Sequence, residues 1–229
     1  MRLIFFIIFL LVSCDIREGN FFPLKPGLKW IYSIVIESSY TGKSFEKRIM
    51  ILNAEKKKNG NVFEVSRLYS DGSYYTYEIN LNSKKVTRKS VILTFDEGIV
   101  EPVEKVIYPD MNFNIEEWQV REQLFLVRGF QPPLLNVKPT SQFDMQYKII
   151  NRYKKYRMSG KVFKNCIEIS GQGTTNFIAD TRSGPIDVKI KNNEIICDGV
   201  GVIMQERYEN TDASAFGNMK LVKKLINFD

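Results

Sequence analysis

The feature that most constrains the fold of this chain is strict alternation of apolar and polar residues between tight-turn dipeptides. Residues 75–81 read YTYEINL, which has the two-residue period of a half-buried strand. Asn59-Gly60 and Asp71-Gly72 precede this run, and such dipeptides favour the turns that join neighbouring antiparallel strands. The pattern therefore predicts a meander of β-hairpins.

Similar patterns along the chain predict a mainly β protein. Candidate strands are residues 29–36, 45–53, 61–69, 75–81, 84–93, 100–108, 124–128, 145–157, 162–170, 176–180, 186–191, 200–208 and 219–228. Ser159-Gly160 is placed to turn a long hairpin. A sheet of about ten twisted strands tends to curl, so we predict an antiparallel curled sheet or incomplete barrel.

One region could be a short helix. In residues 115–125, Ile115 and Trp118 have helical spacing, so a short helix is the alternative there. Prolines at 132, 133 and 139 predict a loop after it, because proline cannot donate to a β-ladder. No Pro/Gly/Ser-rich linker divides the chain, and residues 22–229 are predicted to form a single β-rich domain.

The N-terminus has the pattern of an export signal. Arg2 precedes an unbroken apolar run at residues 3–12, and Asp15 and Arg17 follow it. About ten apolar residues suit a signal peptide, whereas a membrane-spanning helix needs about 20. We predict that residues 1–13 are a signal peptide, with an ordinary secretory signal or a buried N-terminal strand as the alternatives.

The end of that run, Leu11-Val12-Ser13-Cys14, resembles the lipobox of bacterial lipoproteins. The resemblance implies cleavage before Cys14 and lipidation of that cysteine with diacylglycerol and a third acyl chain such as palmitate, which would anchor the protein to a membrane. Residues 14–21 then form the lipidated cysteine and a short tether. A periplasm-facing leaflet is favoured. In many Gram-negative lipoproteins an aspartate at the position of Asp15 is a signal for retention in the inner membrane, but this rule varies between bacterial groups, so inner and outer membrane stay undecided.

Three further motifs resemble those of uncharacterised, β-rich bacterial lipoproteins and exported proteins. Residues 22–32 (FPLKPGLKWIY) match a PLxxGxxWxY opening, residues 163–169 (FKNCIEI) an FxxCxxI strand, and residues 199–203 (GVGVI) a GVGxI closing motif. The resemblance implies antiparallel β architecture and no particular activity. Gly27, Gly199 and Gly201 are expected to supply turns or bends that need positive φ.

The cysteines and the absence of histidine limit the possible chemistry. The chain has three cysteines and no histidine, which excludes Ser-His-Asp and Cys-His catalysis and the common histidine-based zinc sites. With Cys14 assigned to lipid, Cys166 and Cys197 form an even pair in an oxidising compartment, which favours a disulfide. The alternative is two buried, reduced thiols. No metal site is predicted.

The remaining catalytic patterns are weak. Ser44-Phe45-Glu46-Lys47 has Ser-x-x-Lys spacing but lies in a strand-like context without companion motifs. Carboxylates at Asp96, Glu97, Glu101, Glu104, Glu116 and Glu117 could form a glycosidase pair only by chance. Gly171-Gln172-Gly173 and Gly199-Val200-Gly201 lack the third glycine of a nucleotide-binding loop. No cofactor is indicated.

Charge and aromatic content shape the functional prediction. The net charge is +7 and 13% of residues are aromatic; the basic residues are interpreted chiefly as solvated surface, and nucleic acid is not expected outside the cytoplasm. We predict a non-catalytic, membrane-anchored binding or assembly module of the cell envelope, with an apolar ligand inside the sheet or an envelope protein partner. The alternatives are a structural or surface-interaction lipoprotein with a packed core, and a histidine-independent envelope hydrolase.

Overall fold

The computed structural model describes residues 19–39, 44–72, 74–82, 85–90, 94–95, 98–99, 104–124, 142–178, 184–214 and 216–229. Within these residues the regular structure consists of strands. They are β1 (Lys29–Ser38), β2 (Ser44–Lys57), β3 (Val62–Tyr69), β4 (Tyr74–Asn82), β5 (Lys85–Ser90), β6 (Thr94–Phe95), β7 (Gly98–Ile99), β8 (Glu104–Tyr108), β9 (Glu117–Gln123), β10 (Gln142–Met158), β11 (Lys161–Ile178), β12 (Pro185–Cys197), β13 (Gly201–Thr211) and β14 (Asn218–Phe228).

Twelve strands form one antiparallel sheet, and β6 and β7 pair separately. The order is β8-β5-β4-β3-β2-β1-β14-β13-β12-β11-β10-β9. The first and last strands of the chain, β1 and β14, therefore pair in the middle of the sheet. The two edges, β8 and β9, adjoin without a ladder between them. The sheet is thus a nearly closed barrel with an unsealed seam.

The predicted β architecture and curled sheet are confirmed, but the predicted short helix is wrong. Residues 115–125 contain β9, in which Trp118 and Val120 are buried while Glu117, Gln119 and Arg121 are exposed. Period-two burial against β10 outweighs the helical spacing of Ile115 and Trp118. No described segment is a helix long and apolar enough to cross a membrane.

A second difference concerns the strands predicted at 162–170 and 176–180. The structure has one continuous strand there, β11, up to Ile178, because Gly171 pairs with β10 and both Gly171 and Gly173 pair with β12. The turn predicted at Ser159-Gly160 is confirmed, with φ of 50° and 77°. The strand predicted at 124–128 and the loop with prolines 132, 133 and 139 fall largely or wholly outside the described residues.

Aromatic side chains cluster where the N-terminal segment meets the sheet. Phe21 and Phe22 enter from the N-terminal segment and meet Phe113, Tyr108 and Trp118, with ring centroids of neighbouring pairs 5.1–6.1 Å apart. We call this the tether end, because residues 19 and 20 lie there. Apolar packing, the main favourable term in folding, stabilises this cluster.

The chain enters the tether end beside the turn between β12 and β13. The backbone amide of Asn20 donates to Asp198 over 2.7 Å, and its carbonyl accepts from Gly199. Gly201 has φ of 90°, and a Cβ there would lie 3.7 Å from the Phe21 carbonyl. Positive φ at Gly27, Gly199 and Gly201 confirms the backbone roles predicted from the opening and closing motifs.

Gly171 and Gly173 allow the large side chains of β10 to lie against β11. A Cβ on Gly171 would be 2.4 Å from the Tyr147 ring, and one on Gly173 would be 2.5 Å from the Met145 sulfur. We expect Gly171→Ala to lower the free energy of unfolding by about 1–3 kcal/mol through overpacking. Urea unfolding would measure the loss. Gly72→Ala is the comparison variant: its Cβ would meet nothing within 4 Å, so any loss of stability there comes from backbone strain at a turn and not from crowding.

Candidate ligand-binding site in the barrel interior

The strand register places charged side chains inside the barrel. Residues directly opposite each other on paired strands share a face, and the inward face contains both apolar walls and a polar layer. Charged members of this interior layer include Arg67, Arg88, Lys105, Glu122, Glu194, Arg207, Glu209 and Lys223. They come from seven strands, so they become neighbours only when the sheet curls.

A buried ion pair occupies one part of the layer. Arg207 and Glu209 are 1% and 0% exposed, and the Arg207 Nε donates to the Glu209 carboxylate over 2.7 Å. The same guanidinium donates to the Gln123 carbonyl of β9 over 2.9 Å and lies 3.7 Å from Glu122. Arg207 therefore links β13 to the seam strand across the interior.

A second ion pair bridges the seam. The Lys105 ammonium of β8 lies 2.9 Å from the Glu122 carboxylate of β9. Burial lowers the pKa of Lys105, while Glu122 opposes that shift. Side-chain charge thus joins two edges that have no backbone ladder between them.

Glu194 lies in the interior layer with neutral hydrogen-bond donors around it. Its carboxylate accepts from the Tyr108 hydroxyl at 2.5 Å, from Asn192 at 2.9 Å and from Gln205 at 3.0 Å. Burial, together with the charge of Glu194, raises the pKa of Tyr108 well above its ordinary value. Tyr108 therefore stays a neutral donor over the usual range of pH.

Three cations, Arg67, Arg88 and Lys223, form what we call the cationic cluster. Arg67 and Arg88 both lie over the Tyr77 ring, with their guanidinium carbons 4.8 and 5.1 Å from its centroid. The Lys223 ammonium lies 5.4 Å from the centroid of Tyr32. The pKa of Lys223 is lowered to about 8, chiefly by burial; Glu194 opposes this shift, and Arg67 and Arg88 add to it.

The cluster contains an unsatisfied donor. Among the described residues, the Nε of Arg67 is buried without a hydrogen-bond partner, although buried polar groups are almost always paired. Rings of Tyr32 and Tyr77 partly compensate the cations through their π-faces. Among the described residues, the Nε of Arg67 is therefore the unsatisfied group of this cluster.

Cys166 and Cys197 are joined by a disulfide that connects β11 of the long hairpin to β12. They are directly opposite on β11 and β12, with sulfurs 2.07 Å apart. Beyond this pair, the hairpin of β10 and β11 continues, and Tyr153, Tyr156 and Phe163 pack with Cys166 and Cys197. The disulfide thus links the hairpin of β10 and β11 covalently to β12.

We expect a mass about two dalton below the fully reduced value for protein made in an oxidising compartment, because forming one disulfide removes two hydrogen atoms. Intact-mass spectrometry under non-reducing and reducing conditions would measure this difference. Equal masses under both conditions would show that Cys166 and Cys197 remain thiols. A Cys197→Ser variant provides the control that cannot form the bridge.

Other residues singled out from the sequence do not converge on a site. Ser44 and Lys47 lie on strand β2, not on a helix as the Ser-x-x-Lys arrangement requires. Glu104 bonds Thr87, and Glu116 pairs with Arg152 at the surface. Cys14, Asp96, Glu97 and Glu101 lie outside the described residues. Among those described, no group of three or more potential metal ligands occurs.

Comparisons with known proteins agree on the architecture. No protein-family model matches the chain, and no curated protein sequence matches it. The structure is similar to that of a candidate lipoprotein from Parabacteroides distasonis, with a TM-score of 0.50, 10% identity, and coverage of 92% of this chain and 99% of the other. It also resembles a candidate exported protein with a YmcC-like fold from Bacteroides fragilis, with a TM-score of 0.41, 9% identity and the same coverage.

At 10% identity, the first of these likenesses establishes a shared fold and nothing finer. The shared fold extends over almost the full length of both chains.

Proposed function

We propose that this protein is a membrane-anchored, non-catalytic lipoprotein of the cell envelope that binds a ligand inside its barrel. The observation that carries the proposal is the interior layer of charged and polar side chains. Burying charge is costly unless it is paired and hydrogen-bonded, and apolar residues of similar volume would stabilise the barrel at least as well. Because these charged side chains lower the stability of the barrel, their presence is best explained by a ligand that they bind.

The interior carboxylates of the described residues favour binding over hydrolysis. Within the described chain, Glu122, Glu194 and Glu209 are the carboxylates of the interior layer, and each is engaged by cations or neutral donors. A glycosidase needs one carboxyl group kept protonated and another placed across the scissile bond. The carboxylates of this layer instead serve as acceptors for neighbouring side chains.

Native mass spectrometry of the chain from Asp15 onward, with organic extraction of bound molecules, tests the proposal. This chain keeps every described residue and lacks only the predicted signal and lipid site. We expect a fraction of the protein to carry a small molecule that is lost on denaturation. A uniform apo mass, together with no thermal stabilisation by an extract of the native envelope, would contradict the binding function.

Lipid anchoring through Cys14 predicts the cell fraction in which the protein is found. We expect the wild-type protein to sediment with membranes and to resist a high-salt wash, because several acyl chains hold far more firmly than one. Cys14→Ser should release it to the soluble envelope fraction, whereas Ser13→Ala should leave it membrane-bound. Immunoblotting of fractionated cells would measure the distribution, and Cys14→Ser that stays in the membrane would contradict lipid anchoring.

A further inference from the structure

The hairpin of β10 and β11 extends beyond its neighbouring strands. The ladder of β10 with β9 ends at Lys148, and the ladder of β11 with β12 ends at Cys166. Within the part of the chain that the structure describes, the two strands then pair only with each other up to the turn at Ser159-Gly160. Residues 151–165 therefore form a two-stranded ribbon, which we call the basic arm.

The basic arm has a high density of positive charge. It contains no aspartate or glutamate, and its cations are Arg152, Lys154, Lys155, Arg157, Lys161 and Lys164. Arg152 pairs with Glu116 over 2.7 Å, and the Lys161 ammonium donates to the Ile226 carbonyl over 2.9 Å. Such a cluster of cations in a short segment near a membrane is typical of contact with anionic lipids.

One face of the arm is held against the rest of the protein. Tyr156, Met158 and Phe163 are half-buried and pack on the core cluster that contains the disulfide. The contact of Lys161 with the carbonyl of Ile226 attaches the tip of the arm to β14. The arm is thus fixed in position and does not have to order itself on binding a partner.

The opposite face of the arm is exposed and basic. Its side chains are Lys155, Arg157, Val162 and Lys164. The register places Lys155 directly opposite Lys164, and Arg157 directly opposite Val162, which is 52% exposed. Like charges directly opposite each other destabilise a pair of strands. An anion beside Lys155 and Lys164 would remove this repulsion.

The basic arm lies next to the point where the chain leads back to Cys14. The backbone amide of Asn20 donates to the Asp198 carboxylate over 2.7 Å, and the amide of Asp198 donates to the Asn165 carbonyl of the arm over 3.1 Å. Six residues lead from Cys14 to Asn20, and a fully extended segment of that length spans at most about 22 Å. A lipid on Cys14 therefore keeps the arm close to the bilayer.

We propose that the exposed face of the basic arm binds the anionic surface of the membrane to which Cys14 is anchored. The inference rests on the lipid anchoring proposed above and goes beyond it, because it adds a second contact with the membrane. Each basic residue close to an anionic bilayer strengthens binding by about fivefold. Two contacts, the lipid and the arm, would fix the orientation of the barrel relative to the membrane.

Sedimentation with lipid vesicles tests the contact without the lipid anchor. The chain from Asp15 onward, which keeps every described residue, is mixed with vesicles of phosphatidylcholine, or of phosphatidylcholine with the anionic lipid phosphatidylglycerol. We expect binding to the anionic vesicles alone, and weaker binding as the salt concentration rises. Lys155→Gln/Lys164→Gln should lower the partition coefficient by about tenfold or more, because it removes two cations from the exposed face.

Lys189→Gln/Lys191→Gln is the matched control. Both lysines are exposed on β12, eight and six residues before Cys197, so this variant loses the same charge away from the arm. Its partition coefficient should stay within about twofold of the wild-type value. Circular dichroism establishes that each variant is folded. Arg157→Gln, expected to lower binding by about fivefold, decides the matter if the double variant of the arm does not fold.

Three results would overturn the membrane contact of the basic arm. They are no binding to anionic vesicles, equal binding to neutral and anionic vesicles, and equal losses in the arm variant and the control variant. The first would leave an acidic protein as the alternative partner of the arm. Because the tested chain lacks Cys14, none of these results bears on lipid anchoring or on the ligand of the barrel, which cell fractionation and native mass spectrometry test separately.

Discussion

Replacing Lys223 by methionine is expected to stabilise the ligand-free protein by about 1–3 kcal/mol at pH 7. The pKa of Lys223 falls from its ordinary 10.5 to about 8, and each unit of such a shift corresponds to about 1.4 kcal/mol. Methionine fills a similar volume without the buried charge, while it gives up the contact with Tyr32. Urea unfolding at pH 7 measures the gain.

The gain in the free energy of unfolding from Lys223→Met should disappear as the pH rises. Because the pKa of Lys223 is lower in the folded state than in the unfolded state, the unfolded chain binds more protons between about pH 8 and 10.5, and wild-type stability rises through that window. The groups facing Lys223 are Tyr32 of β1, Arg67 of β3, Arg88 of β5 and Glu194 of β12. None of these is removed by the substitution, so the difference between the two proteins isolates Lys223.

Lys224→Met is the matched control for this prediction. Lys224 is the next residue on β14, faces outward and is exposed, so its replacement should change the free energy of unfolding by less than about 0.5 kcal/mol. If Lys223→Met destabilises the protein while Lys224→Met does not, Lys223 has a structural partner in the native state. That result would remove the argument that the cationic cluster is kept for a ligand.

Much of the barrel could be predicted from the sequence because strand patterns are local. Turn dipeptides and period-two alternation predicted the hairpins of β2 to β4 and the long hairpin of β10 and β11. Residues 115–125 were misjudged because Trp118 and Val120 alternate over only a few positions, and the pairing with β10 that buries them involves residues more than 20 positions away.

The candidate site could not be predicted in the same way. Lys223 lies between Leu221 and Leu225, and Arg88 lies two residues after Val86, so their inward positions were available as a signal. In a chain rich in lysine and arginine, however, these residues were interpreted as solvated surface charge. Their proximity depends on β1 pairing with β14 and on curling of the sheet, which no local pattern encodes.

Removing one partner of the buried Arg207–Glu209 pair is expected to cost about 3–5 kcal/mol. Glu209 is fully buried and accepts from Arg207 over 2.7 Å, so Glu209→Leu would leave a guanidinium buried without its main counter-charge. Contacts of Arg207 with Gln123 and Glu122 would compensate only in part. Chemical denaturation should show a lower midpoint with an unchanged dependence on denaturant concentration.

The double variant Arg207→Met/Glu209→Leu distinguishes the loss of the whole ion pair from the cost of leaving one charge buried without its partner. It should lose less stability than Glu209→Leu alone, because buried ion pairs can be replaced by apolar residues at little cost. Asp144→Asn, which breaks the exposed cross-strand pair with Arg121, should change stability by less than about 1 kcal/mol. Equal losses in the single and double variants would show that Arg207 and Glu209 each have other strong partners, and that the interior layer is stabilised as a network.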